Sequence, residues 1–177
     1  MNELWPWARA LSWRAPQQGE IRLRLSADAV QRTTIARDLD LVTLDRLNAE
    51  LTARAWLDGM EIVGRLSAAF VQTCGVTLEP FLTELDEPVH FRFVPEGSPH
   101  AVNSDGSEVI IDLEAEDPPD VVAGEEVAVC DYVIEALALL IDPFPRKPGA
   151  VFVAPEEPVS LSPFAALAAL AKPSPRD

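Results

Sequence analysis

Histidine and cysteine are scarce in this 177-residue chain, with two of each. Cys74 and Cys130 cannot build a disulfide framework, and both read as reduced thiols buried like small hydrophobes. A structural zinc site needs about four thiolate or imidazole ligands. The two Cys with His90 and His100 are irregularly spaced, so neither a metal nor a cofactor is expected. His90 lies on the polar face of a strand pattern and His100 in a loop, which reads as two surface histidines. A Cys74 nucleophile activated by His90 would lack a third, orienting group. A Gly-rich phosphate loop and a Gly-x-Ser-x-Gly elbow are also missing. The expectation is a protein that is not an enzyme.

Long apolar runs are missing as well. The longest strongly apolar run is Ala136 to Ile141, against the roughly 20 residues of a membrane span. Residues Met1 to Trp13 include Glu3 and Arg9 and hold no uninterrupted apolar stretch, unlike a signal peptide. A cytoplasmic protein with no membrane partner is therefore expected.

Positive charge is scarce in one part only. Residues 1–75 contain nine arginines and nine acids, whereas residues 76–177 contain five basic residues and twenty acids. The whole net charge of −15 therefore belongs to the second part. Such a field repels a phosphate backbone and attracts a basic protein, or it serves solubility alone. DNA is not expected as a partner.

What is present suits one domain: 48% hydrophobic residues in a chain long enough for a core. Trp5, Trp7 and Trp13 crowd the N-terminus, where they would cover a core edge or form a docking arm. Glu20 to Leu25 alternates polar and apolar residues, as a half-buried strand does. Ser26 is placed to cap a helix from about Ala27 to Asp38, with Ala29, Val30, Thr33 and Ala36 as its apolar face. Two alternating runs, Leu51 to Leu57 and Ile62 to Phe70, flank Asp58-Gly59 and predict a hairpin turning on that pair. Val89, Phe91 and Phe93 give a further strand. Residues 95–126 read as an acidic loop interrupted by a short strand at Val109-Ile110-Ile111. The loop lacks the spacing of acids and Gly that a calcium loop uses.

Val133, Ala136, Leu137, Leu140 and Ile141 follow helical spacing, and Asp142-Pro143 ends that helix. Ser162-Pro163 would start a last short helix striped by Phe164, Leu167, Ala168 and Ala171. The resulting picture is an α+β fold: an antiparallel sheet with a central Asp-Gly hairpin, covered by about three helices. An N-terminal arm would span residues 1–19, the domain residues 20–153, and a linker with its short helix residues 154–177.

Three segments together resemble the YceD family of large ribosomal RNA subunit accumulation proteins. Gln72 to Pro80 is similar to the family's strand-ending "C-x-x-C-L-E-P" turn, through Cys74, Leu78, Glu79 and Pro80. Glu135 to Gly149 resembles the helix and Pro-rich exit of alphaproteobacterial members, with Asp142, Pro143 and Pro145. Ser162 to Leu170 resembles the C-terminal "N-P-F-A-x-L-x-x-L". One departure is Thr77, which stands where many members carry a second Cys.

The resemblance implies a role in accumulation of 23S ribosomal RNA and no known catalytic reaction. A basic ribosomal or assembly protein is then the expected partner. Phe144, Arg146, Lys147, Phe164 and Leu167 are the candidate contacts. Arg146 and Lys147 have a second reading, as partners of local acids or of the preceding helix end. Direct binding of ribosomal RNA by Arg22, Arg24, Arg54, Arg65 and Arg92 on sheet faces is the alternative function.

Overall fold

Three long strands joined by tight turns carry the molecule, and the shorter elements are added around them. The computed structural model describes residues 9–101 and 117–152. In chain order these form β1 (Ala10–Ser12), a 3₁₀ turn (Pro16–Gln18), β2 (Ile21–Ser26), α1 (Ala29–Asp38), β3 (Thr43–Trp56), β4 (Gly59–Thr73), β5 (Pro80–Pro95), β6 (Asp120–Val122), β7 (Glu126–Ala128) and α2 (Val129–Leu140). The fold is α+β. A five-stranded sheet has the order β2-β3-β4-β5-β6, and β1 pairs with β7 in a separate ribbon.

Alternation decides which face each strand buries. Leu47, Ala49, Leu51 and Ala53 of β3 face the core with Ile62, Leu66, Ala68 and Phe70 of β4. A bulge between Leu44 and Arg46 lets Leu44 and Leu47, three residues apart, both point inward. Above this face lie Ile35 and Ala36 of α1, and Val129, Cys130, Val133, Ile134 and Leu137 of α2. Trp13 packs at the core edge, and its indole Nε1 donates to the Gly124 carbonyl at 2.9 Å. Trp5 and Trp7 lie outside the described residues.

Several expectations need correction. The sheet is mixed, because β6 runs parallel to β5. The acidic loop of about residues 95–126 is therefore not all loop: its last part supplies β6 and the first residue of β7. Val109 to Ile111 lie outside the described residues. Residues 10–12 of the expected N-terminal arm form β1, paired with β7 through Leu11 opposite Val127. Two α-helices are described, and the third expected helix lies outside the described residues.

Local details differ too. Asp28, not Ser26, caps α1: its carboxylate accepts from Gln31 N at 2.9 Å, and Gln31 Oε1 accepts from Asp28 N at 2.8 Å. Ile35 and Ala36 carry the buried stripe of α1, while Val30 is exposed. The buried stripe of α2 begins a turn earlier than expected, at Val129 and Cys130, and Leu140 is left partly exposed.

The hairpin also turns one residue earlier than expected. Trp56 pairs with Gly59, so Leu57 and Asp58 form the loop. The positive φ falls on Leu57, at 51°. Gly59 is needed for space: a Cβ there would lie 1.9 Å from the Phe93 carbonyl oxygen.

Candidate functional site

The turn after β4 begins at Cys74, whose side chain exposes no surface. The chain folds back over it, and Val76 N and Thr77 N each donate to Cys74 Sγ at 3.4 Å. A third donor comes from across the fold, where Lys147 N lies 3.3 Å from Sγ. The Thr77 hydroxyl bonds the sulfur as well. Together these hydrogen bonds, that of Thr77 foremost, outweigh burial and lower the thiol pKa to about 6. Thr77 thus supports a thiolate where the resembled motif would place a second one. Cys130, on the buried face of α2, exposes no surface, is pushed by burial up to about 11 and behaves as a small hydrophobe.

The same contacts clasp the Pro-rich exit of α2 to the turn. Gly75 N donates to the Pro145 carbonyl at 2.9 Å, and Gln72 Nε2 to the Asp142 carbonyl at 3.2 Å. Lys147 Nζ lies 2.8 Å from Glu79 Oε2, which holds the Glu79 carboxyl below its usual range. Asp142 Oδ1 accepts from Phe144 N at 2.8 Å and sets the bend. Cys74, Glu79, Asp142, Pro145 and Lys147 are therefore brought together. Leu78 is exposed at a positive φ of 58°, and Pro80 opens β5 opposite Thr73.

Lys147 belongs to the clasp through both its backbone N–H and its ammonium group, and its side chain stays 44% exposed. An open groove of about 680 Å³ runs beside the clasp, lined by Val42, Pro143, Phe144 and Arg146 among others. Phe144 is 79% exposed. Phe164 and Leu167 lie outside the described residues.

A second cluster was not anticipated. The register aligns Arg54 of β3, Glu61 of β4 and Arg92 of β5 on the sheet face opposite the core. Glu61 is only 4% exposed. Its Oε2 accepts from Arg54 Nε at 2.6 Å; its Oε1 lies 2.6 Å from His90 Nε2 and 3.4 Å from Arg92 Nε. Burial pushes the Glu61 carboxyl up, but the hydrogen bonds from Arg54 and His90 prevail and hold it below the usual range. The Arg92 guanidinium also sits 5.2 Å over the Trp56 ring. The signal for this cluster was in the hairpin: once Trp56 pairs with Gly59, Arg54 must oppose Glu61. His90 is half-exposed as expected, but it lies opposite Val63, roughly 35 Å along the strand from Cys74 at about 3.3 Å per residue. The two do not meet.

The remaining rows of this face continue the pattern. Arg22, Thr52, Val63 and His90 form the next row, and Arg24, Glu50, Arg65 and Pro88 the one after. Arg65 Nε reaches Asp86 Oδ1 at 3.1 Å, and Arg46 reaches Glu84 at 3.4 Å.

Where β5 and β6 meet α2, a second groove of about 600 Å³ opens. Phe91, Tyr132 and Leu139 supply its apolar walls, and Asp117, Asp120 and Glu135 its carboxylates. Tyr132 packs edge-on against Phe93, with ring centroids 4.5 Å apart. Burial raises the Asp120 carboxyl above its usual range. His90 and Arg92, on the opposite wall, already engage Glu61.

No group of three or more His, Cys, Asp or Glu side chains able to hold a metal ion occurs among the described residues. No helix among them is long and apolar enough to cross a membrane. Comparison with protein-family models, with curated proteins and with solved structures finds no match to this chain.

Proposed function

We propose that this chain is a cytoplasmic, non-enzymatic factor that supports accumulation of 23S ribosomal RNA and large-subunit biogenesis through protein contacts. The ordered motifs that resemble the YceD family support the biological setting. Two of those motifs, some seventy residues apart in sequence, meet at Cys74 and Lys147.

The observation that carries the mode of action is the groove beside α2. Its carboxylates, Asp117, Asp120 and Glu135, stand beside the exposed apolar surface of Leu139. Desolvation already disfavours the Asp120 carboxylate, so a cationic side chain entering the groove would gain. A basic ribosomal or assembly protein has that chemistry, and the excess of acids after residue 75 would steer it there.

The test is affinity recovery from native extract at two salt concentrations, with and without ribonuclease. Basic large-subunit proteins should be recovered, survive ribonuclease and fall away as salt screens the attraction. The Asp120→Lys, Glu135→Lys double variant should lose them. Recovery that ignores both salt and charge reversal would defeat the reading.

A further inference from the structure

An uncovered edge strand keeps half of its backbone groups without partners in the sheet. β6 pairs only with Phe93, Val94 and Pro95, at the end of the sixteen-residue β5. From Pro80 to Phe91, no strand among the described residues lies on the side of β5 away from β4.

One residue fixes which groups turn outward. Pro88 stands opposite Arg65 in the register with β4 and has no N–H, so its nitrogen belongs on the outer side. In an antiparallel pair both polar groups of a residue point to one side, and that side alternates along the strand. Asp86, Pro88 and His90 therefore turn outward. Two hydrogen bonds agree with this alternation. The Asp86 carbonyl accepts from the Arg65 side chain at 2.9 Å, and Glu96 N donates to the Val122 carbonyl of β6 at 3.1 Å. His90 thus offers an N–H and a C=O to the outside, and Pro88 a C=O, with no backbone partner among the described residues. Below Pro88, Glu84 and Asp86 are tied to Arg46 and Arg65 across the strands. Charges and a Pro blunt that part of the edge against another strand. What stays open is the short stretch around His90, which faces the α2 groove.

The groove decides what can lie there. Phe91 and Phe93 pack with the core, and Asp120 stands opposite Phe93, so its carboxyl lies on the core face of the sheet. From α2, Tyr132, Glu135 and Leu139 line the same groove. A strand laid against His90 would send alternate side chains onto this face. There they would meet the carboxylates of Asp120 and Glu135 and the apolar surface of Phe91, Tyr132 and Leu139, the last 81% exposed. The side chains between them would stand on the opposite face, beside the Arg92 guanidinium over Trp56. A cation gains on the first face and is repelled on the second.

We propose that the α2 groove receives an extended segment of a partner protein, which adds to the outer edge of β5 at His90 and carries a cationic and an aliphatic side chain two residues apart, with an uncharged residue between them. The proposal rests on the reading of this groove as the site of a basic partner, and adds the partner's conformation and its sequence pattern. In strand addition, backbone hydrogen bonds hold the segment and alternate side-chain positions select it. Pro88 cannot donate, so the paired stretch is short.

The test is fluorescence anisotropy with the full chain and a labelled heptapeptide, Thr-Arg-Thr-Val-Thr-Arg-Thr, whose Arg and Val side chains share one face of a strand. Two N-methylated forms are compared, one methylated at the Arg and Val amides and the other at the Thr amides. Only alternate amides of an added strand face β5. One form should therefore bind at least ~10-fold more weakly and the other like the parent. The isomer Thr-Arg-Arg-Thr-Thr-Val-Thr carries the same charge without the pattern, and should bind at least ~3-fold more weakly. Equal affinities for the two methylated forms, or for parent and isomer, would overturn strand addition. If the parent peptide were still lost on charge reversal at Asp120 and Glu135, the basic-partner reading would stand without it. No binding of the parent peptide at low salt would overturn the proposal too, and salt-sensitive recovery of basic proteins from extract would then uphold the earlier reading alone.

Discussion

At the scale of single residues, Cys74 and Glu61 show how a charge is held where little water reaches it. Both expose almost no surface, and in both the hydrogen-bond donors around the group favour its ionised form against burial. For Cys74 the folded pKa of about 6 lies well below that of an ordinary thiol. Its contribution to stability is therefore complete above about pH 9, fades as the pH falls, and is gone below about pH 6. Cys74→Ser removes that contribution. The stability gap between wild type and variant, measured by urea unfolding, should widen steadily from pH 6 to pH 9. Thiolate absorbance should show one step near pH 6 and none from Cys130 before strongly alkaline pH. A first step at an ordinary thiol value, about 8.5, would refute the nest of donors around the sulfur.

Glu61→Ala leaves Arg54 and Arg92 facing each other without their shared acceptor, and should cost about 1–3 kcal/mol in urea unfolding. Neither residue stood out in the sequence as a charge centre. Cys74 gains its third donor from a residue 73 positions away, and Glu61 has partners on two other strands. Spacing along one segment carries no trace of such neighbours. The motifs around Cys74 and Asp142 were legible as patterns, but not the fact that they touch.

At the scale of elements, the hairpin gives the sharpest test. Ala at Gly59 drives its Cβ into the backbone of β5, which flexible side chains cannot relieve. Gly59→Ala should therefore destabilise by about 2–3 kcal/mol. At Gly75 the same change meets nothing nearer than the Pro145 carbonyl oxygen at 3.7 Å, and a shift under about 0.5 kcal/mol is expected. Equal urea midpoints for the two variants would show that strand approach is not what requires Gly59.

The alternation of β3, β4 and β5 and the helical period of α2 were readable because each is a local repeat that one buried face enforces. The turn was misplaced by one residue because Asp-Gly is a propensity, whereas the pairing is fixed by the whole length of two strands. The three-residue strands β1, β6 and β7 were not readable at all. Too short to show a period, they exist because a distant partner strand offers them hydrogen bonds.

At the scale of the whole molecule, charge is distributed unevenly over a continuous sheet. The arginine rows lie on one face and the carboxylates of the α2 groove on one edge. With a net charge of −15, self-repulsion opposes the folded state, and salt relieves it. Raising sodium chloride from low to physiological concentration should raise the melting temperature by about 2–4 °C, the shift that corresponds to about 1 kcal/mol in a chain of this size. A fall instead would mean that the cross-strand ion pairs outweigh the repulsion.

The ribbon of β1 and β7 joins Ala10 to Ala128, 118 residues apart, whereas β2 to β5 follow one another as a meander. Bringing such distant strands together costs chain entropy that only an already assembled sheet can offset. The meander should then form first in time and the ribbon last. In native-state hydrogen exchange, the amides of β1 and β7 should open long before those at the centre of β4. The N-terminal stretch, last to arrive, would also be the first to let go.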